Sequence, residues 1–268
     1  MYEAISVVIP TIPERKEQLA KLLKQLGSKF EVIVVDNQEL SLAEKRNYGL
    51  AQATGDLIYF LDDDNELFLD TFVDLALIME CNLKVGIAAS VAVNGGKFVD
   101  GGSKRWLVSG FMTAVWPKGW NAYEVDECAN AFMVRRKVFQ DIGGFDSQRF
   151  PMDMDEADLC LRARRKGWKV VYVPSSRVKH PLVPQVPKFR RRINAYYMGL
   201  HRIRFQHLHL NLFGYGCFLV FFLPVFICVY TVSLACNTQA GFIPVFLKGV
   251  LDGLFNKFDG DRRYIETT

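Results

Sequence analysis

The sequence predicts an α/β protein: a doubly wound, mostly parallel sheet with helices on both faces, followed by a C-terminal apolar helical tail. Three observations predict this. β-branched runs alternate with helical leucine periodicity over residues 5–93. The third apolar run, Leu57–Leu61, ends directly in Asp62, Asp63 and Asp64. Beyond Lys188, Arg190, Arg191 and Arg192, the chain runs from Phe205 to Leu247 without a formally charged residue.

The elements follow in order. Ile5–Ile9 is a strand stopped by Pro10, and Glu31–Val35 is a second strand ending at Asp36; both read as central parallel strands. Between them Leu19, Leu22, Leu23 and Leu26 repeat at helical spacing, with Gly27 as the stop. A second helix starts at Ser41, whose spacing to Glu44 makes a capping box, and closes near Gly55. After the strand Leu57–Leu61 come a helix over Leu67–Met79 and a strand over Val85–Val93. Right-handed crossovers then build the sheet.

Thr11, Asp36 and Asp62 each stand just past a strand's carboxyl end, so they line one crevice, where open α/β sheets bind ligands. No glycine-rich GxGxxG or GxxxxGK loop follows the first strand, which argues against a dinucleotide fold or a P-loop. Asp62 and Asp64 are two apart in an extended segment and point the same way. Carboxylates this close repel unless a cation joins them, and a hard divalent ion with oxygen ligands answers that need. A solvated acidic turn is the plainer alternative. An EF-hand loop fits poorly, because Leu67 stands where its glycine is required.

Asp153, Asp155, Glu156 and Asp158 form a second acidic cluster at the start of a helix that runs to Lys166 and is ended by Gly167. Acidic residues complement a helix N-terminus, but four in six positions exceed what capping requires. His180, one of only four histidines, is on its own terms a structural histidine. Trp106, Trp116 and Trp120 offer rings that stack on sugars or pack in a core.

Charge is unevenly distributed. The net charge of +4 hides 16 basic and 25 acidic residues in 1–158, against 14 basic and no acidic residues in 159–251. The basic segment calls for an anionic partner. A membrane surface explains the adjoining apolar stretch and nucleic acid does not, so no nucleic-acid partner is expected. Leu212–Cys236 is long enough to cross a hydrocarbon core, which takes about 20 residues; Pro224 leaves a kinked span, a re-entrant hairpin, an interfacial pair or a buried core helix open. The first strand begins at Ile5 with no signal peptide before it, so the expected location is the cytoplasmic face of the inner membrane, held through residues 188–247. Six cysteines without a CxxC pair imply neither a disulfide framework nor a zinc site.

Eight segments, in order, resemble the successive motifs of family 2 glycosyltransferases with the GT-A fold. These include Ser6-Val7-Val8-Ile9-Pro10-Thr11, Val34-Val35-Asp36-Asn37, Arg46-Asn47-Tyr48-Gly49 and Gly55–Asp64. Ala131–Arg136, Gly143-Gly144-Phe145-Asp146 and Asp155–Arg162 continue the series, and Gly249-Val250-Leu251-Asp252-Gly253-Leu254 resembles the end of rhamnosyltransferase-type members. The resemblance implies that Thr11, Asp36, Arg46, Asp62 and Asp63 bind a nucleotide-diphosphate-sugar, with Asp36 at the base and Arg46 near the ribose and diphosphate. It places a divalent metal, Mn2+ or Mg2+, on Asp62, Asp64 and His180. It puts the general base in the acidic pair, at Glu156 with Asp155 as its rival; the family order is Glu then Asp, reversed here. Arg46 pairing with Glu44 is the plainer alternative for that residue.

The expected organisation is a catalytic domain over 1–185, with a nucleotide-sugar half (1–100) and an acceptor half (101–185), and a basic, apolar membrane tail over 186–268. The expected activity is inverting transfer of a sugar to a hydroxyl of a lipid-linked saccharide in bacterial polysaccharide or O-antigen assembly. A sugar nucleotidyltransferase and a non-catalytic membrane adaptor are the alternatives.

Overall fold

A computed structural model describes residues 4–68, 71–180 and 188–256. The elements are β1 (Ile5–Pro10), α1 (Lys16–Leu26), β2 (Glu31–Val35), α2 (Leu42–Gln52), β3 (Leu57–Leu61), β4 (Glu66–Leu67), α3 (Thr71–Cys81) and β5 (Val85–Asn94). There follow β6 (Lys97–Asp100), β7 (Ser103–Arg105), β8 (Met112–Ala114), β9 (Tyr123–Glu124), β10 (Ala131–Arg135), α4 (Arg136–Ile142), α5 (Asp155–Arg165) and β11 (Lys169–Lys179). Four helices close the described chain: α6 (Lys188–His209), α7 (Leu212–Cys217), α8 (Leu223–Cys236) and α9 (Ile243–Leu254). They fall into two compact units, one drawn from Met1–Lys104 and Thr113–Leu182, the other from Arg105–Met112 and Val183–Thr268. The expected boundary at 185/186 lies outside the described residues.

The first unit is built on a mixed sheet of order β2-β1-β3-β10-β5-β11-β4. β1, β2 and β3 pair in parallel, as do β5 and β11, whereas β10 inserts antiparallel between β3 and β5. Five of the six strands from β2 to β11 on this path therefore run one way. β2 is an edge strand, not the central one its β-branched run suggested, and its Val34 is exposed accordingly. Helices cover both faces. Val8, Ile58, Phe60, Ile87 and Phe132 face one core, and Val7, Ile9, Tyr59, Leu61 and Met133 the other, the two-sided burial that makes these strands continuously apolar.

Local signals explain the helix limits. Ser41 accepts from the Glu44 N–H while the Glu44 side chain accepts from the Ser41 N–H, the expected capping box. α2 ends at Gln52 rather than near Gly55; Gly55 instead lets the chain pass under β1, where a Cβ would lie 2.5 Å from the Ala4 carbonyl oxygen. Gly49 similarly sets α2 against β1, since a Cβ there would meet a Val8 methyl at 2.3 Å. The helix expected from Leu67 begins at Thr71, because Glu66–Leu67 pairs with β11.

In the second unit α6 and α9 cross at glycine. A Cβ on Gly249 would sit 2.1 Å from the Tyr196 carbonyl oxygen, and one on Gly199 2.5 Å from that of Phe246. Asp252 between Gly249 and Gly253 is buried, accepting from Tyr196 Oη and Lys248 Nζ at 2.7 Å each. The segment Gly249–Leu254 is thus a close-packing surface with one satisfied charge. Leu212–Cys236 is continuous through Pro224, with a wider turn over Phe218–Phe222 in which the Leu223 N–H reaches back to the Phe218 carbonyl. Gly249→Val should lower the thermal stability of the protein by about 1–3 kcal/mol through overpacking, while Lys248→Ala, at a partly exposed site in the middle of the same helix whose loss leaves Asp252 bonded to Tyr196, should cost under about 1 kcal/mol; calorimetry of the two variants distinguishes them.

Candidate active site

The carboxyl edge of β1, β2 and β3 presents Thr11, Asp36 and Asp62 to Asp64, as their strand ends require. Asp36 and Asn37 are exposed beyond β2. Thr11 is buried; its N–H donates to the Val35 carbonyl, and its hydroxyl donates to Asp63 at 2.7 Å. Arg15, in the turn after β1, donates to Asp63 at 2.5 Å and stands 3.0 Å from Asp64 Oδ2. Lys45 donates to the Thr11 carbonyl at 2.7 Å; burial, the largest influence, draws its ammonium below the usual range although Asp63 and Asp36 oppose it.

The three consecutive aspartates therefore differ in surroundings. Asp63 is turned inward between Thr11 and Arg15. Asp64 keeps one oxygen towards Arg15, while its Oδ1 is buried without a hydrogen-bond partner, 3.8 Å from His180 Nε2. Asp62 is 3.5 Å from Arg46 Nη2. Burial, against the pull of Arg46, lifts the Asp62 carboxyl to about 6, with Glu156 and Asp64 adding to the rise. This is not a solvated turn. The orphaned Asp64 oxygen and the facing His180 imidazole are donors of the kinds that hard and borderline divalent cations take. Among the described residues no three Asp, Glu, His or Cys groups converge closely enough to complete a shell on their own.

The second acidic cluster opens α5. Asp153 and Met154 precede it in the left-handed region, at φ 69° and 68°, a costly backbone that aims the first helical turn. Asp155 is fully buried and accepts from Arg46 Nη1 at 2.5 Å. Glu156 lies 2.7 Å from Arg46 Nη2, with its side chain 16 % exposed. Asp158 pairs with Arg162 at 2.6 Å, and Arg162 also donates to the Ile142 and Gly144 carbonyls, so that carboxylate is structural. Within the Asp155–Glu156 pair, burial and then the Glu156 charge push Asp155 well above the usual carboxylate range. Burial works the same way on Glu156, but the Arg46 charge and a hydrogen bond from Asp155 outweigh it and hold that carboxyl below its ordinary value.

Arg46 thus gathers both acidic clusters. It is 1 % exposed, pairs with Asp155, Glu156 and Asp62, and lies over the rings of Phe132 and Phe145 at 5.8 and 5.6 Å. Glu44 is occupied by the capping box instead. Next to it, the Asn47 amide donates to the Phe145 carbonyl and accepts from the Phe145 N–H, both at 2.8 Å, and Gly144 makes room, since a Cβ there would meet Asn47 Oδ1 at 2.4 Å. Sequence reasoning did not foresee Arg15, Lys45 or the Asn47 latch. No spacing announces the first two, and the latch joins residues 98 apart. A cavity of about 360 Å3 lies beside β9, lined by Trp116, Lys118, Asn121 and Tyr123. Trp116 and Trp120 are exposed, and Trp120 stacks under Arg177 at 4.7 Å; Trp106, in the second unit, is exposed too.

Comparison with known proteins agrees with this geometry. A family model described as glycosyltransferase like family 2 matches residues 14–180, and one described as glycosyl transferase family group 2 matches residues 129–251. The chain is 41 % identical over 64 residues to the N-acetylglucosaminyl-diphospho-decaprenol L-rhamnosyltransferase of Mycobacterium tuberculosis, covering 24 % of this chain and 19 % of that protein. It is 28 % identical over 223 residues to the O-antigen biosynthesis protein RfbC of Myxococcus xanthus, covering 66 % of this chain and 17 % of the other. The chain thus spans about a fifth of the length of these curated relatives. The mannosyltransferase PcManGT from Pyrobaculum calidifontis, solved with GDP-Man and Mn2+, superposes with a TM-score of 0.54 at 15 % identity, over 96 % of this chain and 88 % of that one, and shares its GT-A-like fold. With a family model spanning most of the sheet and both acidic clusters, the chain belongs to the family 2 glycosyltransferases.

Proposed function

We propose that the chain is an inverting, metal-dependent glycosyltransferase that moves a sugar from a nucleoside-diphosphate donor to a hydroxyl of a lipid-linked saccharide. The supporting observation is the Arg46 junction, which holds a carboxylate from the β3 edge and two from the start of α5 around one guanidinium. A donor bound along the β1–β3 edge then has its leaving group near Asp62 and its reactive carbon near Glu156. Residues 1–100 serve the donor, residues 101–185 the acceptor and the base, and residues 186–268 a membrane surface on the cytoplasmic side, in assembly of a bacterial polysaccharide such as O-antigen. The rhamnosyltransferase relative is named for a diphospho-decaprenol acceptor, which favours this acceptor class.

Exposed Asp36 contacts the nucleobase beside the Thr11 loop, and Asp62 faces the ribose and diphosphate. Asp62, Asp64 and His180 would hold Mn2+ or Mg2+, which would supply positive charge against the negative charge of the leaving diphosphate. Asp63 and Arg46 organise the donor edge from beneath, because both are buried and held by close charged partners. Glu156 is the ionised and accessible member of its pair, so it takes the proton from the acceptor hydroxyl as that oxygen attacks the anomeric carbon. A single displacement inverts that carbon. Asp155, fully buried, positions Glu156 without reaching an acceptor. Trp116 and the cavity beside it offer an aromatic wall for the acceptor sugar.

Three measurements test this reading. Full-length protein given a panel of nucleotide sugars, a divalent metal and extracted lipid-linked acceptors should release nucleoside diphosphate, and Asp64→Ala should abolish that release. No release from the whole panel by folded protein would leave a membrane adaptor, and release of pyrophosphate would indicate a nucleotidyltransferase. Glu156→Gln should lower kcat by about 100-fold or more, in the range of a lost general base; near-normal turnover in Glu156→Gln with none in Asp155→Asn would reverse the two roles. Arg46→Gln, which strands buried carboxylates, should cost about 3–5 kcal/mol of stability, and Arg46→Lys should restore part of the stability without the two-pronged contact to Asp155 and Glu156.

A further inference from the structure

Resting on the membrane reading just given, we infer that the helix Leu212–Cys236 docks lengthwise in the headgroup region of an anionic bilayer and does not cross it. Length and composition alone permit a crossing, with a mean hydropathy of 2.5 over a window that is 22 % buried. Packing decides otherwise. One face of the helix is covered inside the second unit: Phe218, Leu223, Phe226 and Leu234 are buried, and the Phe226 and Tyr230 rings lie 5.7 and 4.6 Å from that of Phe246 on α9. The opposite face is bare and apolar. Phe213, Val220, Phe221, Val225, Val229 and Val232 recur on it at helical spacing, all exposed.

The covering helices bring charged side chains with them. The Arg202 guanidinium of α6 sits 4.9 Å from the Phe226 ring, two residues from the midpoint of Leu212–Cys236. His207 meets Tyr215 edge-on at 5.0 Å, and α9 brings the Lys248–Asp252 pair. A crossing helix would take Arg202 to the centre of the hydrocarbon, where a charge is expensive. Lying flat, the same bundle immerses only the bare stripe and keeps Arg202, on the covered face, out of the hydrocarbon. Charge complements this pose: within residues 183–251 of the second unit seven residues are basic and none acidic, which suits anionic headgroups. The side chains of Lys188, Arg190 and Arg191 lie outside the described residues; Arg192 is exposed on α6.

The test uses full-length protein and sealed vesicles, either rich in phosphatidylglycerol or of phosphatidylcholine alone. Flotation should show at least tenfold stronger binding to the anionic vesicles, and Phe221→Asp with Val229→Asp should weaken it at least tenfold while leaving the thermal midpoint within a few degrees of the parent. Asn211→Cys and Asn237→Cys, made separately with Cys81, Cys217, Cys228 and Cys236 replaced by serine, mark the two ends of the helix. An impermeant maleimide added outside should label both ends on bound vesicles. Labelling of one end only, until detergent is added, would overturn the flat pose and leave the membrane reading standing. Absence of binding to either vesicle would overturn both, and a concentration-dependent dimer under that condition would identify a second copy as the cover of the apolar stripe.

Discussion

The buried guanidinium of Arg46 is the constraint on which the site depends. A cation removed from water pays a desolvation cost of several kcal/mol, and only close carboxylates with good geometry offset it. Asp155, Glu156 and Asp62 do so from two different parts of the chain. The arrangement contributes little net stability compared with an apolar substitute, but it tolerates few alternative geometries. Gly49 seats α2 on β1, which puts Arg46 at the right depth, and the Asn47 latch fixes the loop that leads into α5. The outward-facing Glu156 is therefore positioned by interactions that begin on the opposite side of the sheet edge.

The same cation separates two neighbouring carboxylates that sequence reasoning treated as rivals. Both sit in the first turn of α5, so helix position alone cannot distinguish them. Burial does. Asp155 is sealed beneath Arg46 and held towards its neutral form, whereas Glu156 keeps an exposed edge and is held ionised. A base must be both ionised and reachable. In the proposed mechanism that condition favours Glu156, the second of the pair.

The parts of this structure legible in the sequence were those written in short-range pattern. The strands at Ile5, Glu31 and Leu57, the capping box at Ser41 and the two acidic clusters follow from periodicity and local chemistry. The insertion of β10 between β3 and β5 does not, because antiparallel pairing of residues 131–135 with 57–61 is a long-range choice. Nor does the edge position of β2, since an apolar strand reads alike at the centre and at a rim shielded by helices. Arg15 and Lys45 escaped notice because a basic residue in a turn or helix carries no mark of the carboxylate it will meet. The start of α3 was misplaced for a related reason: Leu67 continues the apolar pattern, yet its backbone is claimed by β11.

The tail shows the limit of reading hydropathy along one segment. Leu212–Cys236 meets the length and composition of a membrane span, but a span is a property of a helix together with its neighbours. Here the neighbours are held by close contacts: glycine against carbonyl oxygen between α6 and α9, and aromatic rings packed edge-on and tilted from α8 onto Phe246. Separating α8 from α6 and α9 would uncover Phe246 and free Arg202 from the Phe226 ring, and keeping them together takes charge wherever α8 goes. A bundle that carries charge beside one bare apolar stripe satisfies water and hydrocarbon together only at their boundary.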